Sequence, residues 1–532
     1  MSEATATPAF APQSWPLAAA YMSASVFLAL TQGLAQGFVT ANLPQIAGEI
    51  GTTTTQAAWL MAAYMIPRAS LTLLLMKIRT QYGLRRFAEI GIVFYVITAV
   101  MALRIDDLHS AIAVQFVMGV AAAPLSSIAI LYMLEPLPPT LKLKYGIPVV
   151  LTIIMMGAPL ARVITPELWA LSSWNGLHLM GLGMAVISMV LVYALPLSPQ
   201  PRARVISALD LFSFALIAVA LGGFSTVFIM GYLHWWTTTP WLGWLLAVAL
   251  AAGALAVATE LNREAPLLDI RWILSPAIVH LTMVLFLFRI ILTEQSTGAP
   301  GLFRQLGYAP EQLQMLFVVI VLAGLAGGLA AIRFMSPDKV GHAHLVALVL
   351  IACGAWMDSH STLLTGPEQM YLSQAMVAFA GGLFLPPAMA MGMMSALAKG
   401  PSYILSFIIV FLTTQLVGGM IGSGLFNTFI LWREKFHMSV LADRLTATNP
   451  EIARHLAALA QSHAATTPDS GLRQAEAAAT LAKQAAAQAY VMAYNDAYAL
   501  MALVAIFAAG LLALHMINGF FKSGRATAAT AK

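Results

Sequence analysis

The amino-acid sequence predicts an all-α polytopic membrane protein, and three observations carry that prediction. Of 532 residues, 60% are hydrophobic and only 9% are charged, against roughly 25% charged in an ordinary soluble domain. So few charges cannot clothe a solvated surface, and the mean hydropathy of +0.82 agrees; a soluble enzyme is excluded. The apolar residues also fall in continuous runs, such as 503–514, and lack the alternating polarity of a spanning β-strand. A single cysteine, Cys353, excludes a disulfide framework and a thiolate zinc cluster. The net charge of +5 lies between the apolar runs, a pattern of membrane topology that argues against nucleic-acid binding.

A spanning helix needs about 20 mostly apolar residues. Fourteen segments qualify: 17–40, 57–78, 87–103, 111–134, 146–166, 176–196, 208–231, 241–260, 276–299, 312–334, 343–358, 369–396, 402–431 and 491–516. The stretch from Met1 to Pro16 has no basic n-region and no small-residue cleavage site, so no signal peptide is expected. Lysine and arginine in short loops set orientation. With the N-terminus inside, sixteen such residues between Lys77 and Lys532 face inward and only Arg104 and Arg304 face outward. The six in 432–490 belong to a long loop, which the rule leaves out. Both termini are therefore expected in the cytoplasm.

Two stretches look like copies. Gly51 to Gln56 precedes span 2 and Gly307 to Gln312 precedes span 10, each a glycine followed five residues later by a glutamine at a helix start. Their placement suits a six-helix N-terminal bundle (1–200), two inserted spans (201–270) and a six-helix C-terminal bundle (271–532), the last including an outer segment, 432–490. Repeats flanking a midplane site are a common transporter plan. Within the outer segment, Asn449-Pro450-Glu451 reads as N-cap, first-turn proline and acidic first turn. From Gly471 the alanine-rich sequence can run as one helix into span 14. Two readings of this segment stand: a solvated helical hairpin, or a docking surface for a partner subunit.

The order of motifs resembles the fourteen-span drug:proton antiporter branch of the major facilitator superfamily, the EmrB/QacA type. Leu43-Pro44 closes span 1, Trp59 and Ala63-Tyr64 lie in span 2, and Leu306-Gly307-Tyr308 follows span 9. Pro386-Pro387 in span 12 and Gln415-Leu416-x-Gly418-Gly419 in span 13 also fit. Arg433, His437, Asn449-Pro450 and Ala493-Tyr494-Asn495-Asp496 resemble the EmrB-like subgroup. The resemblance implies the major facilitator fold with 14 transmembrane helices (6 + 2 + 6) in the bacterial inner membrane. It also implies proton-coupled drug export, with a periplasmic membrane-fusion adaptor (HlyD/EmrA-like) and an outer-membrane channel as partners. Several family positions differ. The span-1 aspartate falls at Ala35, the acidic position of the span 2–3 loop at Thr80, and its first glycine at Met76. The span-4 arginine falls at Gln115, and the span-5 motif reads Gly157-Ala158-Pro159 with Arg162 where glycine is usual.

Ionisable residues within spans carry the chemistry. An arginine near the bilayer centre costs about 2.5–3.5 kcal/mol on insertion scales. Arg68 (span 2), Arg162 (span 5) and Arg289 (span 9) together would cost roughly 8–10 kcal/mol unpaired, comparable with a domain's stability. They must pair, face a polar interior, or meet an anion. Glu294 in span 9 is the one carboxylate well inside a span, with Glu135 at the inner end of span 4. Either Glu294 neutralises one arginine while the others reach carbonyls, or the excess positive charge receives organic anions, whose carboxylates match the planar guanidinium fork. Glu294 is also the candidate proton carrier. Gln115, Tyr64 and Gln415 complete the candidate substrate and coupling set. His178 and His280 lie within spans and titrate near neutrality in water, although such histidines usually serve packing.

Met389, Met391, Met393 and Met394 give span 12 an adaptable apolar face. Gly324, Gly328, Gly418, Gly419, Gly422 and Gly424 permit close helix approach, and Pro159, Pro386 and Pro387 are candidate hinges. His342 and His344, read as loop residues, have no clustered ligands, so no metal is expected, nor any cofactor. Neither a phosphate-binding loop nor a Gly-x-Ser-x-Gly elbow occurs; no enzymatic activity is expected, and the energy for transport must come from an ion or substrate gradient. The expected function is proton-coupled efflux of amphipathic, anionic drugs or organic and fatty acids by alternating access across the lipid bilayer. The rivals are an uncoupled or importing facilitator of organic anions, favoured by the departures at Ala35 and Gln115, and a non-transporting membrane sensor or scaffold.

Overall fold

The structure is a computed structural model that describes residues 14–530 apart from 200, 201, 265, 447 and 448. The regular structure of the described residues is helical. The chain begins with α1 (Trp15–Ala41), a short α2 (Leu43–Glu49), α3 (Thr54–Tyr82), α4 (Leu84–Ala102) and α5 (Leu108–Leu134). A single turn, α6 (Pro139–Leu141), precedes α7 (Ile147–Ala194), after which come α8 (Ala208–His234), α9 (Pro240–Leu261) and the short α10 (Ile270–Ile273). Next are α11 (Pro276–Ile291), α12 (Ala299–Gln305), α13 (Gln314–Ala331), α14 (Pro337–Asp358) and α15 (Tyr371–Lys399). The chain closes with α16 (Pro401–Arg444), α17 (Pro450–Ser462) and α18 (Ser470–Thr530).

All fourteen expected apolar segments fall in these helices. Among the described residues, twelve helices are long and apolar enough to cross a membrane. One of them joins two expected spans: inside α7 the backbone leaves helical geometry at Ser172 and Ser173, making two rods meeting at a bend. The 19-residue α4 occupies the third expected segment but is not one of the twelve; it carries Arg85, Arg86 and Glu89 near its start. Its charges lower its average hydropathy without shortening its apolar remainder.

The paired glycine-to-glutamine stretches have a physical cause. Gly51 and Gly307 adopt positive φ (+64° and +83°), a turn that glycine enters without a Cβ penalty. The glutamine then caps the new helix. Gln56 Oε1 accepts from the Thr53 amide at 3.0 Å and Gln312 Oε1 accepts from the Ala309 amide at 2.8 Å, satisfying donors that a helix start leaves free.

Close packing holds the bundle together. At the α1–α7 crossing, a Cβ on Gly33 would lie 2.8 Å from the Gly157 Cα. Between α7 and α13, a Cβ on Gly328 would meet Thr152 Oγ1 at 1.9 Å, so these two helices interlock backbone to side chain. The α8–α9 pair bridges them: α8 packs on both α3 and α16, Trp59 stacks on Trp241 at 5.8 Å, and Trp236 Nε1 donates to Thr428 Oγ1 at 2.8 Å. At its other end the buried Asp210 carboxylate accepts from Lys77 Nζ (2.6 Å) and Arg263 (2.5 Å), fixing α8 to the end of α3.

The outer segment folds as expected from its sequence. α18 is one helix from Ser470 through the last span, and Asn449 Oδ1 accepts from the Glu451 amide at 3.0 Å to start α17. Ile452, Leu456 and Leu459 form a half-buried stripe on α17, which packs against α18. At the root of this hairpin, Asp496 accepts from Arg433 Nε (2.6 Å) and lies 2.7 Å from His437 Nε2, which ties α18 to α16. His342 and His344 are not loop residues: Pro337 starts α14 earlier than the apolar run suggests, and the half-buried His344 ring stacks on Phe384 at 4.0 Å.

Candidate functional site

Three polar clusters lie inside the helical bundle. The first belongs to α1, α3 and α5. The Arg68 guanidinium donates to Gln36 Oε1 and lies over the Tyr64 ring at 5.3 Å. Gln36, Tyr64 and Gln115 line a void of about 10 Å³ together with Thr40, Met61 and Met65, barely room for a water. The structure thus brings together Arg68, Tyr64 and Gln115. Among the described residues Arg68 makes no ion pair; amide and aromatic groups stand in for a counter-ion. One turn along α1, Gln32 accepts from the Ser126 hydroxyl at 2.7 Å, extending the polar strip.

The second cluster is a cleft of about 200 Å³ at the end of the bundle that carries the hairpin. It lies between α1 and α7 on one side and α12 and α13 on the other, and its wall includes Asn42, Gln45, Arg162, Thr165, Arg304, Tyr308 and Phe317. Arg162 lies over the Phe317 ring at 5.1 Å, an arrangement worth about 0.5–2 kcal/mol depending on desolvation. Arg304, counted from sequence as a loop charge, sits on α12, because the ninth span passes through a π-helical turn (Glu294–Gly298) and then continues beyond its expected end at 299 as far as Gln305. No carboxylate is among the lining residues. Glu167, on the same helix as Arg162, accepts instead from Gln314 Nε2 at 2.7 Å.

The third cluster joins that π-turn to α14 and α15. Glu294 and Asp358 are buried (0% and 3% exposed), and one amide serves both: Gln374 Nε2 donates to Glu294 Oε1 and to Asp358 Oδ2, each at 2.7 Å. The Ser373 hydroxyl donates to Asp358 Oδ1. Glu294 therefore has no arginine partner. Its neighbour Asp358 escaped sequence reasoning because it ends the apolar run of α14 and reads as a loop residue. The signal that finds it is spatial: α14 and α15 pack along each other and bring Asp358 against Gln374.

The remaining candidates lie apart. Arg289 donates from Nε to the Gln415 carbonyl at 3.2 Å and packs on Gly418 and Gly419 of α16, away from the residues that line the cleft; Gln415 Nε2 is buried without a partner. His178 packs on Trp174, ring centroids 4.9 Å apart. His280 is exposed on the outer face of α11. Among the described residues no group of three or more His, Cys, Asp or Glu could hold a metal.

Comparison with known proteins agrees with this architecture. No family model matches the chain. The colistin resistance protein EmrB of Acinetobacter baumannii is 21% identical over 425 residues, covering 77% of this chain and 80% of that protein. The methylenomycin A resistance protein of Streptomyces coelicolor is 24% identical over 378 residues, covering 68% and 78% respectively. Among solved structures, the human organic anion transporter MFSD10 (TETRAN) superposes with a TM-score of 0.56 at 12% identity, over 93% of this chain and all of that one. The proton:xylose symporter XylE gives 0.54 at 12% identity, over 92% and 95%. The solved structures share the fold of this chain, and the two sequence relatives agree with its resemblance to the drug:proton antiporter branch of the major facilitator superfamily.

Proposed function

We propose that this chain is a secondary exporter of the bacterial inner membrane that moves amphipathic organic anions outward in exchange for protons. The reading has both termini in the cytoplasm and fourteen crossings, arranged as bundles 1–200 and 271–532 around the inserted pair 201–270. Alternating access would come from rocking of the two bundles about the α7–α13 contact. One observation carries the substrate class: Arg162 and Arg304 share a cleft whose described lining offers them no carboxylate. A guanidinium left without a protein anion in a partly desolvated cleft favours a ligand carboxylate, which it binds through paired N–H donors. Phe317 beside Arg162 adds the apolar surface that an amphipathic ligand needs. Arg68 with Tyr64, Gln36 and Gln115 supplies a second, deeper cationic station along the same bundle.

Two sequence relatives are named as resistance proteins, for colistin and for methylenomycin A, which supports drug export as the biological role. By the same relationship, the hairpin 432–490 is the natural docking point for a periplasmic adaptor leading to an outer-membrane channel. Its root is braced by Arg433, His437 and Asp496, so a load on the hairpin reaches α16 and α18 directly.

Counterflow in proteoliposomes tests the reading. Organic acids should exchange, cationic dyes should not, and Arg162→Ala with Arg304→Ala should remove the exchange. Exchange of cationic dyes alone would overturn the anion reading. Acid exchange without any movement of protons would favour the uncoupled facilitator.

A further inference from the structure

Glu294 and Asp358 pose a problem that the anion cleft does not solve. Two carboxyl groups are buried side by side, both within 2.7 Å of the same Gln374 Nε2, with no ion pair to either among the described residues. Two full negative charges sharing a dry site repel each other and lose their hydration, so one of them must carry a proton. The donors indicate which. Asp358 accepts from Ser373 and from Gln374 and is equipped as the anion. Glu294 accepts through one oxygen only, and its Oε2 finds no donor. Protonated, that carboxyl becomes a donor itself and no longer needs one.

The surroundings repeat the pattern. The Tyr498 hydroxyl, fully buried on α18, is also unpartnered, as is Gln374 Oε1. The other ionisable groups of this neighbourhood, among the described residues, are Tyr494, one turn before Tyr498, and around Tyr494 the Arg304 guanidinium, Tyr490 and Tyr232 of α8. α16 contributes Phe426 and the Ser423 hydroxyl, which bonds Thr297. Arg289, on the helix that leads into the π-turn, gives its Nε to α16. Among the described residues no cation pairs with the acids, and three buried polar atoms await a partner.

We propose that Glu294 and Asp358, bridged by Gln374, form one site that holds a single proton between two carboxyl groups, and that the proposed antiport exchanges its proton there. This rests on the proton-exchange reading above and gives it a location. The site also has a mechanical link to the cleft. Glu294 occupies the π-helical turn from which α12 extends. Pro300 and Arg304 of α12 line the cleft, while Gly298 and Gly301 lie against Tyr498 and Tyr494. A π-turn is a local irregularity that accommodates movement more readily than regular helix. An anion drawing on Arg304 would shift α12 and with it the Glu294 carboxyl. Water reaching the displaced pair would accept the proton from Glu294 Oε2 as the O–H bond breaks, leaving both carboxylates charged until another proton returns from the opposite side.

Carbodiimide labelling tests this without knowing the substrate. The wild-type full chain is treated with N,N′-dicyclohexylcarbodiimide, which reacts with protonated carboxyls sheltered from water, and the adducts are located by mass spectrometry. One adduct per chain is expected, on Glu294 or Asp358, diminishing as pH rises because the protonated form is lost, and unchanged by sodium at constant ionic strength. Two adducts on one chain, none across the pH range, or protection by sodium would each overturn the proposal. In liposomes, Glu294→Gln and Asp358→Asn should lose accumulation driven by a pH gradient far more than they lose counterflow; equal losses, or none, would overturn it. Should wild-type chain exchange no organic acid while the single adduct persists, the anion reading fails and the proton site stands.

Discussion

The two sides of α12 have opposite chemistry. On one side Arg304 faces Arg162 across a cleft that opens toward the hairpin end, and both guanidinium groups are served by aromatic or solvent contacts. On the other, beyond Gly298 and Gly301, two carboxyl groups are sealed from solvent and share one amide donor. Positive charge is left where a ligand can reach it; negative charge is enclosed where a proton, but no organic molecule, fits. The same seven-residue helix lines the cleft and continues directly from the π-turn that carries Glu294, which is the link the proposed exchange would use. An exchanger needs its two ligands to sense each other in this way, because a ligand shifts a conformational equilibrium only through differential contacts with the two states.

The largest effect should come from emptying the cationic side. Arg162→Ala combined with Arg304→Ala should abolish organic-anion counterflow, and each single change should weaken apparent affinity by about 10- to 100-fold, the span expected for one charge-assisted hydrogen bond. Arg162→Lys should recover only part of the loss, since an ammonium keeps the charge but not the planar fork. Full exchange in the double variant would break the contrast between the two sides. A next test acts on α12 itself. A Cβ at Gly301 would lie 2.4 Å from the Tyr494 hydroxyl and one at Gly298 would lie 2.7 Å from Tyr498 Cε1, so Gly301→Ala forces α12 away from α18 although it touches neither charged group. Both anion exchange and the pH profile of carbodiimide labelling should change in this variant. Movement of one without the other would show that the helix does not transmit between the sites.

The arginines inside the bundle sharpen the comparison at lower amplitude. Arg68→Ala should reduce exchange by about tenfold, the scale of one lost charged contact, because it strips charge from the strip lined by Gln36, Tyr64 and Gln115. Arg289→Ala should chiefly lower thermal stability, since Arg289 spends its Nε on a backbone carbonyl and its stem on two glycines of α16. An exchange defect at Arg289 as large as that at Arg162 would extend the cationic path to α11.

What the sequence made legible follows from which interactions are local. Helices and their order could be read because twenty apolar residues specify a span without reference to anything else. The capping glutamines Gln56 and Gln312 showed as a repeat because a cap is satisfied within three residues. The single long helix from Ser470 showed because alanine-rich sequence without proline favours it locally. Pairings could not be read. Asp358 stands 64 positions from Glu294 and ends its apolar run, so hydropathy assigns it to solvent, while packing of α14 on α15 buries it. Arg304 was hidden likewise by the unforeseen extension of the ninth span past residue 299 as α12. Arg162 was legible as costly in lipid, but which anion it lacks is a statement about α12 and α13.

The hairpin supplies the control for the whole comparison, because it lies outside both pockets yet is joined to the same bundle. Asn449→Ala removes the side-chain acceptor that starts α17, a loss of about 1 kcal/mol for an N-cap. The damage should stay local: faster proteolysis near the start of α17, with carbodiimide labelling and anion counterflow unchanged. The apolar stripe of Ile452, Leu456 and Leu459 still holds α17 against α18, and Asp496 still anchors the root through Arg433 and His437. A fall in counterflow matching that of Arg162→Ala would mean that the hairpin governs access to the cleft, and the division of labour across α12 would then describe only part of the transport cycle.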